Sequence, residues 1–151
     1  MRTVMLFLAA FGLAGLLYGA DNPFVGTWKL NLAKSKFSRP APKEWTDVYR
    51  EVEGDKLEVT AKTIMADGSS LNEKLVYPQR GGAATFLQGG GNGIYEVETL
   101  ITPSEWLSTR MKDGKQIGCM RMVVSKDRKT MHYILKITDI PLEGEAVFDK
   151  Q

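Results

Sequence analysis

The feature that most constrains this chain is a period of two between apolar and polar side chains, repeated in short segments. The clearest instance is residues 57–65, in which Leu57, Val59 and Ala61 alternate with mostly polar neighbours. A half-buried strand produces this alternation, because successive side chains point to opposite faces of a sheet. Asp-Gly pairs at 67–68 and 113–114 are typical of two-residue hairpins. The sequence therefore predicts an all-β chain.

About 8–10 such segments follow one another at roughly even spacing, mostly with short connections. Sequential hairpins favour an up-and-down meander, and a meander of this length protects its edges by closing. The Cys…Trp…Cys framework of an immunoglobulin sandwich is missing, because Cys119 is the single cysteine. We therefore predict an antiparallel up-and-down β-barrel. Pro40 and Pro42 favour an extended crossing after the first strand, with little or no helical lid.

Residues 1–20 are typical of a signal peptide. They have a basic second residue, an apolar run over 4–17 and small residues before Asp21. The run is too short for a comfortable membrane span, and no cysteine follows it for a lipoprotein anchor. An uncleaved anchor is the alternative, because Tyr18 stands where a small residue is usual. We predict export to the periplasm or extracellular space, with 21–151 as a single domain that makes no stable membrane insertion.

Charge and histidine content argue against several classes of function. The chain has 20 Lys and Arg against 18 Asp and Glu, and the two signs are interspersed, so no nucleic-acid partner is predicted. Cys119 cannot form an internal disulfide and is expected to be a small apolar filler in a strand. His132, the single histidine, lies on the more polar row of its strand. A Ser-His-Asp triad or a zinc site is therefore hard to build, and we predict no metal, no cofactor, no catalytic residue and no enzymatic activity.

Paired glutamates, a glycine run and two tryptophans have ordinary structural interpretations. Glu96 and Glu98 share one face of a strand and are predicted to be solvated charges rather than an acid/base pair. The glycine-rich residues 89–93 are followed by neither Lys-Ser/Thr nor a helical pattern, so we predict a mobile loop rather than a phosphate site. The sequence leaves open whether Trp45 and Trp106 rim an open mouth or cover the base of the barrel.

Residues 24–30, Phe-Val-Gly-Thr-Trp-Lys-Leu, carry a family resemblance. The Gly26-x-Trp28 pattern resembles the first strand of the lipocalins and fatty-acid-binding proteins, which belong to the calycin superfamily. Residues 146–151 are similar to the final strand of the fatty-acid-binding proteins, and the hairpin at 113–115 is also similar. The resemblance implies that Trp28 plugs the closed end of a barrel and that Gly26 lets the strand bend around it.

The resemblance also implies a ligand site. Family members that bind fatty acids hold the carboxylate with interior arginines and a tyrosine. An ungapped register from residues 113–115 places Arg121 at one such arginine, with a solvent-facing Arg121 as the alternative. Ala146 and Phe148 occupy the positions of the second arginine and the tyrosine, which implies a less acidic ligand or none. The residues expected at a ligand site are Arg121, Tyr95, Tyr133, Met111 and Phe148.

Two functions of different classes are compatible with the sequence. The first is a small exported barrel that binds an apolar or amphiphilic, lipid-like molecule non-covalently. Its polar head would meet Arg121 with Tyr95 or Tyr133, and adaptable methionines would line the pocket. The alternative is a non-enzymatic interaction or structural module with a packed barrel, used through its surface or loops. A small hydrophobic ligand is the partner expected, and the sequence leaves the oligomeric state open.

Overall fold

The computed structural model describes residues 22–140 and 142–151, so the predicted signal peptide lies outside the described residues. In this part of the chain, twelve strands form one antiparallel sheet. A 3₁₀ turn over Leu32–Lys34 follows the first strand, and no helix in these ranges has the length and apolarity needed to cross a membrane. The strands are β1 (Gly26–Leu30), β2 (Lys36–Phe37), β3 (Glu44–Val52), β4 (Lys56–Ile64), β5 (Ser70–Pro78), β6 (Gly82–Ala83), β7 (Thr85–Gln88), β8 (Ile94–Thr102), β9 (Glu105–Lys112), β10 (Lys115–Val124), β11 (Thr130–Ile137) and β12 (Leu142–Lys150).

The sheet curls into a nearly closed barrel with the order β6-β8-β9-β10-β11-β12-β1-β3-β4-β5-β7. The first and last long strands meet, since Trp28 of β1 lies opposite Lys150 of β12 on one side and Asp47 of β3 on the other. The predicted all-β, up-and-down barrel without a helical lid is confirmed. The strand count exceeds the predicted 8–10, because β2 and β6 have two residues each and leave no periodic signal.

The seam of the barrel lies between β7 and β8. Residues 82–88 serve both edges of the sheet, since β6 pairs with β8 and β7 pairs with β5. The amide of Ala84 donates to the carbonyl of Glu96 at 2.9 Å, and the chain then leaves β8. No ladder joins β7 to β8 in the described sheet, and the glycine-rich residues 89–93 connect the two strands across this seam.

Aromatic side chains close one end of the barrel. Trp28 and Phe24 are fully buried, and the indole Nε1 of Trp28 donates to the carbonyl oxygen of Phe24 at 2.7 Å. Trp106 packs edge-on against Phe24 and Tyr77, with ring centroids 6.3 and 5.1 Å apart. The buried indole thus has its acceptor, as an aromatic ring with a polar edge requires. The structure places both Trp28 and Trp106 in the closed base.

Gly26, the first residue of β1, has a positive φ angle that residues with a side chain rarely adopt. Its φ is +135°, and a Cβ atom there would lie 2.6 Å from Cε of Lys150, whose ammonium covers the Trp28 ring at 4.9 Å. We expect Gly26→Ala to lower the free energy of unfolding by about 1–2 kcal/mol in urea denaturation. Gly91→Ala is the matched control, since Gly91 is not among the glycines with positive φ. Equal effects of the two substitutions would contradict the role of Gly26 in the bend.

Candidate functional site

A narrow cavity lies inside the barrel, above the aromatic base. The cavity has a volume of about 60 Å³, which holds on the order of four to six water molecules. Part of the wall is apolar and adaptable, because two methionines contribute to it. The apolar residues that line the cavity include Val59, Ala61, Leu75, Met120 and Met122.

Arg110 organises the polar part of the cavity. Its Nη2 donates to Glu73 at 2.9 Å, its Nη1 donates to Glu96 at 2.7 Å, and its Nε donates to Asp139 at 3.1 Å. The guanidinium carbon also lies 5.6 Å from the centroid of the Phe86 ring. The Arg110 side chain is only 4% exposed. Because Glu73 lies on β5 and Glu96 on β8, Arg110 ties together the two sides of the seam.

The ion pairs around Arg110 keep it charged. Burial lowers the pKa of Arg110, but the carboxyls of Glu73 and Glu96 outweigh this effect and the net pKa is raised. Burial raises the pKa of Glu96, and the attraction of Arg110 opposes that shift. One guanidinium therefore serves three carboxyls, including Asp139, and the cluster has an excess of acidic groups.

Glu98 follows Glu96 on the inner face of β8 and lines the cavity. It is 3% exposed, and its Oε2 has no hydrogen-bond partner within the described residues. Ser108 lies opposite Glu98 in the β8–β9 register, but its hydroxyl donates to Oε2 of Glu96 at 3.4 Å. Burial, and then repulsion from Glu96, raise the pKa of Glu98 to about 8, and the nearby Ser108 hydroxyl opposes the shift. Near neutral pH this carboxyl is mostly protonated, and its Oε2 has no hydrogen-bond partner in the described residues.

A second buried carboxyl, Asp47 of β3, is fully engaged. The indole Nε1 of Trp45 donates to its Oδ1, and the hydroxyl of Tyr133 donates to its Oδ2, each at 2.7 Å. The hydroxyls of Tyr133 and Tyr49 also lie 2.7 Å apart. Burial raises the pKa of Asp47 to about 7 in spite of the two hydrogen bonds. Unlike Glu98, Asp47 already has partners for both of its oxygens.

The structure separates the residues expected at a ligand site. Tyr133 and Phe148 are fully buried inside the barrel, with ring centroids 4.6 Å apart. Tyr95 and Met111 lie opposite each other on β8 and β9, but on the outer face. Their expected place in an interior site is therefore wrong, because the inner rows of these two strands are the ones that contain Glu96 and Arg110.

Arg121 lies on the outer surface of β10, so the solvent-facing alternative is the one observed and the interior position that the resemblance implied is wrong. Its side chain is 51% exposed, and its Nε donates to Oε1 of Glu105 at 2.7 Å. The physical reason is a register shift between Gln116 and Gly118. This irregularity reverses the alternation relative to an ungapped strand, so the inward residues are Gly118, Met120 and Met122.

Glu96 and Glu98 correct a further expectation, because both carboxylates are buried rather than solvated. The pattern of β8 is inverted: its charged row faces the cavity, while the outer row includes Tyr95 and Ile101, which are 39% and 51% exposed. The sequence feature that could have indicated buried glutamates lies on the neighbouring strand, β9. Arg110 lies on the same face of β9 as Trp106, a residue type that is often largely buried. An arginine on an inward face needs an acidic partner, because an unpaired buried charge is costly.

The pH dependence of stability tests the state of Glu98. Folding raises its pKa from 4.5 to about 8, so the folded protein binds this proton more tightly than the unfolded chain does. Its contribution is most favourable below pH 4.5 and declines as the pH rises towards 8. We expect the free energy of unfolding to fall by about 2–4 kcal/mol between pH 5 and pH 8.5 from this group.

Glu98→Gln should remove most of that decline in urea denaturations across the same pH range. Glu145→Gln is the matched control, since Glu145 is exposed on β12. Asp47 adds a decline of the same sign, which both variants retain. An unchanged slope in Glu98→Gln would show that Glu98 titrates normally.

Comparison with known proteins supports the architecture. No protein-family model and no curated protein matches the chain. Among solved structures, the fluorescent protein UnaG aligns with a TM-score of 0.58 at 15% identity, covering 85% of this chain and 97% of that one. A variant of UnaG aligns with a TM-score of 0.58 at 14% identity, covering 85% and 96%. At such identities the likeness shows the fold alone, and that fold is the predicted antiparallel β-barrel.

Proposed function

We propose that this chain is an exported, non-enzymatic barrel that binds a small amphiphilic molecule non-covalently in its interior. The observation that carries the proposal is a cavity with an apolar wall and one buried carboxyl, Glu98, whose Oε2 has no partner in the described residues. Export rests on the signal-peptide pattern of residues 1–20.

A groove at the mouth of the barrel provides room for the apolar part of such a ligand. It is lined by Pro40 of the extended crossing and by Met65 and Ala66 of the β4–β5 hairpin. Leu71 and Ile140 line both this groove and the cavity. Because about 60 Å³ accommodates a head group rather than a long chain, the polar head lies inside and the tail extends past Leu71 and Ile140.

Binding suits this interior better than catalysis does. The polar groups around Glu98 are engaged with one another, since Arg110 donates to three carboxyls and Asp47 accepts from Trp45 and Tyr133. Such a fixed network holds a ligand in place, and among the charged side chains that line the cavity in the described residues only Glu98 has a buried oxygen without a partner. A packed structural barrel is also disfavoured, because it would have no use for an unpaired buried carboxyl.

Native mass spectrometry of the protein, purified without denaturation from its producing cells, tests the proposal. We expect a small-molecule adduct that denaturation releases. Ala61→Phe, which fills the cavity, should abolish it, whereas Thr60→Phe on the outer face of the same strand should keep it. Retention of the adduct by a folded Ala61→Phe variant would place the ligand outside the barrel. A clean unliganded mass, together with no binding of decylamine, decanol or decanoate, would refute the proposed function.

A further inference from the structure

We propose that the ligand's head group is a hydrogen-bond-donating cation, such as a primary ammonium, and that Glu98 is its binding partner. The inference rests on the proposed function and specifies the chemical class of the ligand. The geometry points to it because carboxyl groups outnumber cationic groups in the lining of the cavity. The carboxyl side chains that line this cavity are Asp47, Glu73, Glu96 and Glu98.

Arg110 is the one cationic side chain that lines the cavity in the described part of the chain. Its Nε, Nη1 and Nη2 donate to Asp139, Glu96 and Glu73, at 3.1, 2.7 and 2.9 Å. Each nitrogen of the guanidinium is therefore already paired with a carboxyl, which weakens its attraction for a ligand carboxylate. A carboxylate would enter a cavity with excess acidic groups, whereas an ammonium would supply the missing positive charge.

Glu98 provides the specific contact. It is 3% exposed, it lines the cavity, and its Oε2 has no hydrogen-bond partner among the described residues. A buried polar oxygen without a hydrogen-bond partner is costly, and a bound ammonium pairs with the ionised carboxylate through both a hydrogen bond and an opposite charge. An alcohol supplies a donor but no charge. The cavity is therefore expected to rank an amine above an alcohol, and an alcohol above a carboxylate.

Binding of an ammonium by Glu98 has a proton balance that can be measured. Burial raises the pKa of Glu98 to about 8, so at pH 6.5 the free protein holds the carboxyl protonated. The complex contains carboxylate and ammonium, and the proton of Glu98 leaves to the solvent. The other charged or titratable side chains around this site, on the strands that enclose it, are Asp47, Tyr49, Glu73, Tyr77, Glu96, Arg110 and Tyr133.

The experiment is isothermal titration of the full chain with decylamine, decanol and decanoate at pH 6.5, in two buffers of different ionisation enthalpy. We expect decylamine to bind at least about tenfold more tightly than decanol, with decanoate the weakest. About one proton should be released for each bound amine. Glu98→Gln should weaken decylamine at least about tenfold, suppress the proton release and change decanol affinity by less than about threefold.

Glu145→Gln controls for attraction of the amine to surface carboxylates, since Glu145 is exposed on β12. Circular dichroism establishes that each variant is folded. Decanol or decanoate binding as tightly as decylamine would overturn the ammonium assignment and leave the proposed function intact. Unchanged amine binding in Glu98→Gln would overturn the role of Glu98. If none of the three compounds binds and the fluorescence of Trp45 in the cavity wall does not change, both proposals fail.

Discussion

Replacing Arg110 with methionine is expected to lower the free energy of unfolding at pH 7 by about 3–5 kcal/mol. The substitution preserves much of the side-chain volume but leaves Glu73 and Glu96 buried, with the donors at 2.9 and 2.7 Å removed. An uncompensated buried charge is the costly outcome of breaking such a network. Urea denaturation monitored by tryptophan fluorescence measures the loss. The deficit should shrink as the pH falls, because burial raises the pKa of Glu96 and favours its protonated form.

Arg121→Met is the matched control for this experiment. Arg121 also donates to a glutamate at 2.7 Å, but on the barrel exterior with a side chain that is 51% exposed. Exposed ion pairs contribute little, so we expect a change below about 1 kcal/mol. Similar losses in the two variants would contradict the assignment of Arg110, and not Arg121, as the arginine that organises the interior.

Trp28→Ala is expected to cost about 3–5 kcal/mol, because it opens a cavity in the closed end of the barrel. Trp28 is fully buried, and its Nε1 donates to Phe24 at 2.7 Å. Trp28→Phe keeps a ring but leaves that carbonyl without its donor, so an intermediate loss of about 1–3 kcal/mol is expected. Urea denaturation of both variants separates the packing contribution from the hydrogen bond.

Leu32→Ala provides the control for truncating a large apolar side chain. Leu32 lies in the 3₁₀ turn and is 46% exposed, so a change within about 0.5 kcal/mol is expected. A loss in Trp28→Ala no larger than that in Leu32→Ala would show that the base of the barrel does not depend on the indole.

The barrel was predictable because its signals are local. The alternation around Leu57 and Val59 and the turn at Asp113-Gly114 specify strands and hairpins, and sequential hairpins leave few topologies. The pairing of β2 with β12 was not predictable, since two residues such as Lys36 and Phe37 carry no period. Their pairing depends on the position of Gly144, whose partner in the register is Phe37.

The interior site was less predictable, because the sequence shows alternation but not which row faces inward. On β8 a charged row normally faces water, yet here Glu96 and Glu98 face the cavity, since Arg110 on the adjacent strand pairs with Glu96. On β10 the irregularity between Gln116 and Gly118 reverses the inward row, and this shift has no local sequence signature strong enough to be identified. Orientation in both strands is set by tertiary contacts.

A crystal structure of the protein with decylamine would show directly whether Glu98 binds an ammonium inside the barrel. We expect electron density for the amine inside the barrel, with its nitrogen at a hydrogen-bond distance of about 2.7–3.2 Å from the Glu98 carboxylate and its tail leaving past Leu71 and Ile140. A cavity containing only water, with the amine on the outer face, would contradict this binding mode. An amine that enters the cavity tail-first would contradict it as well.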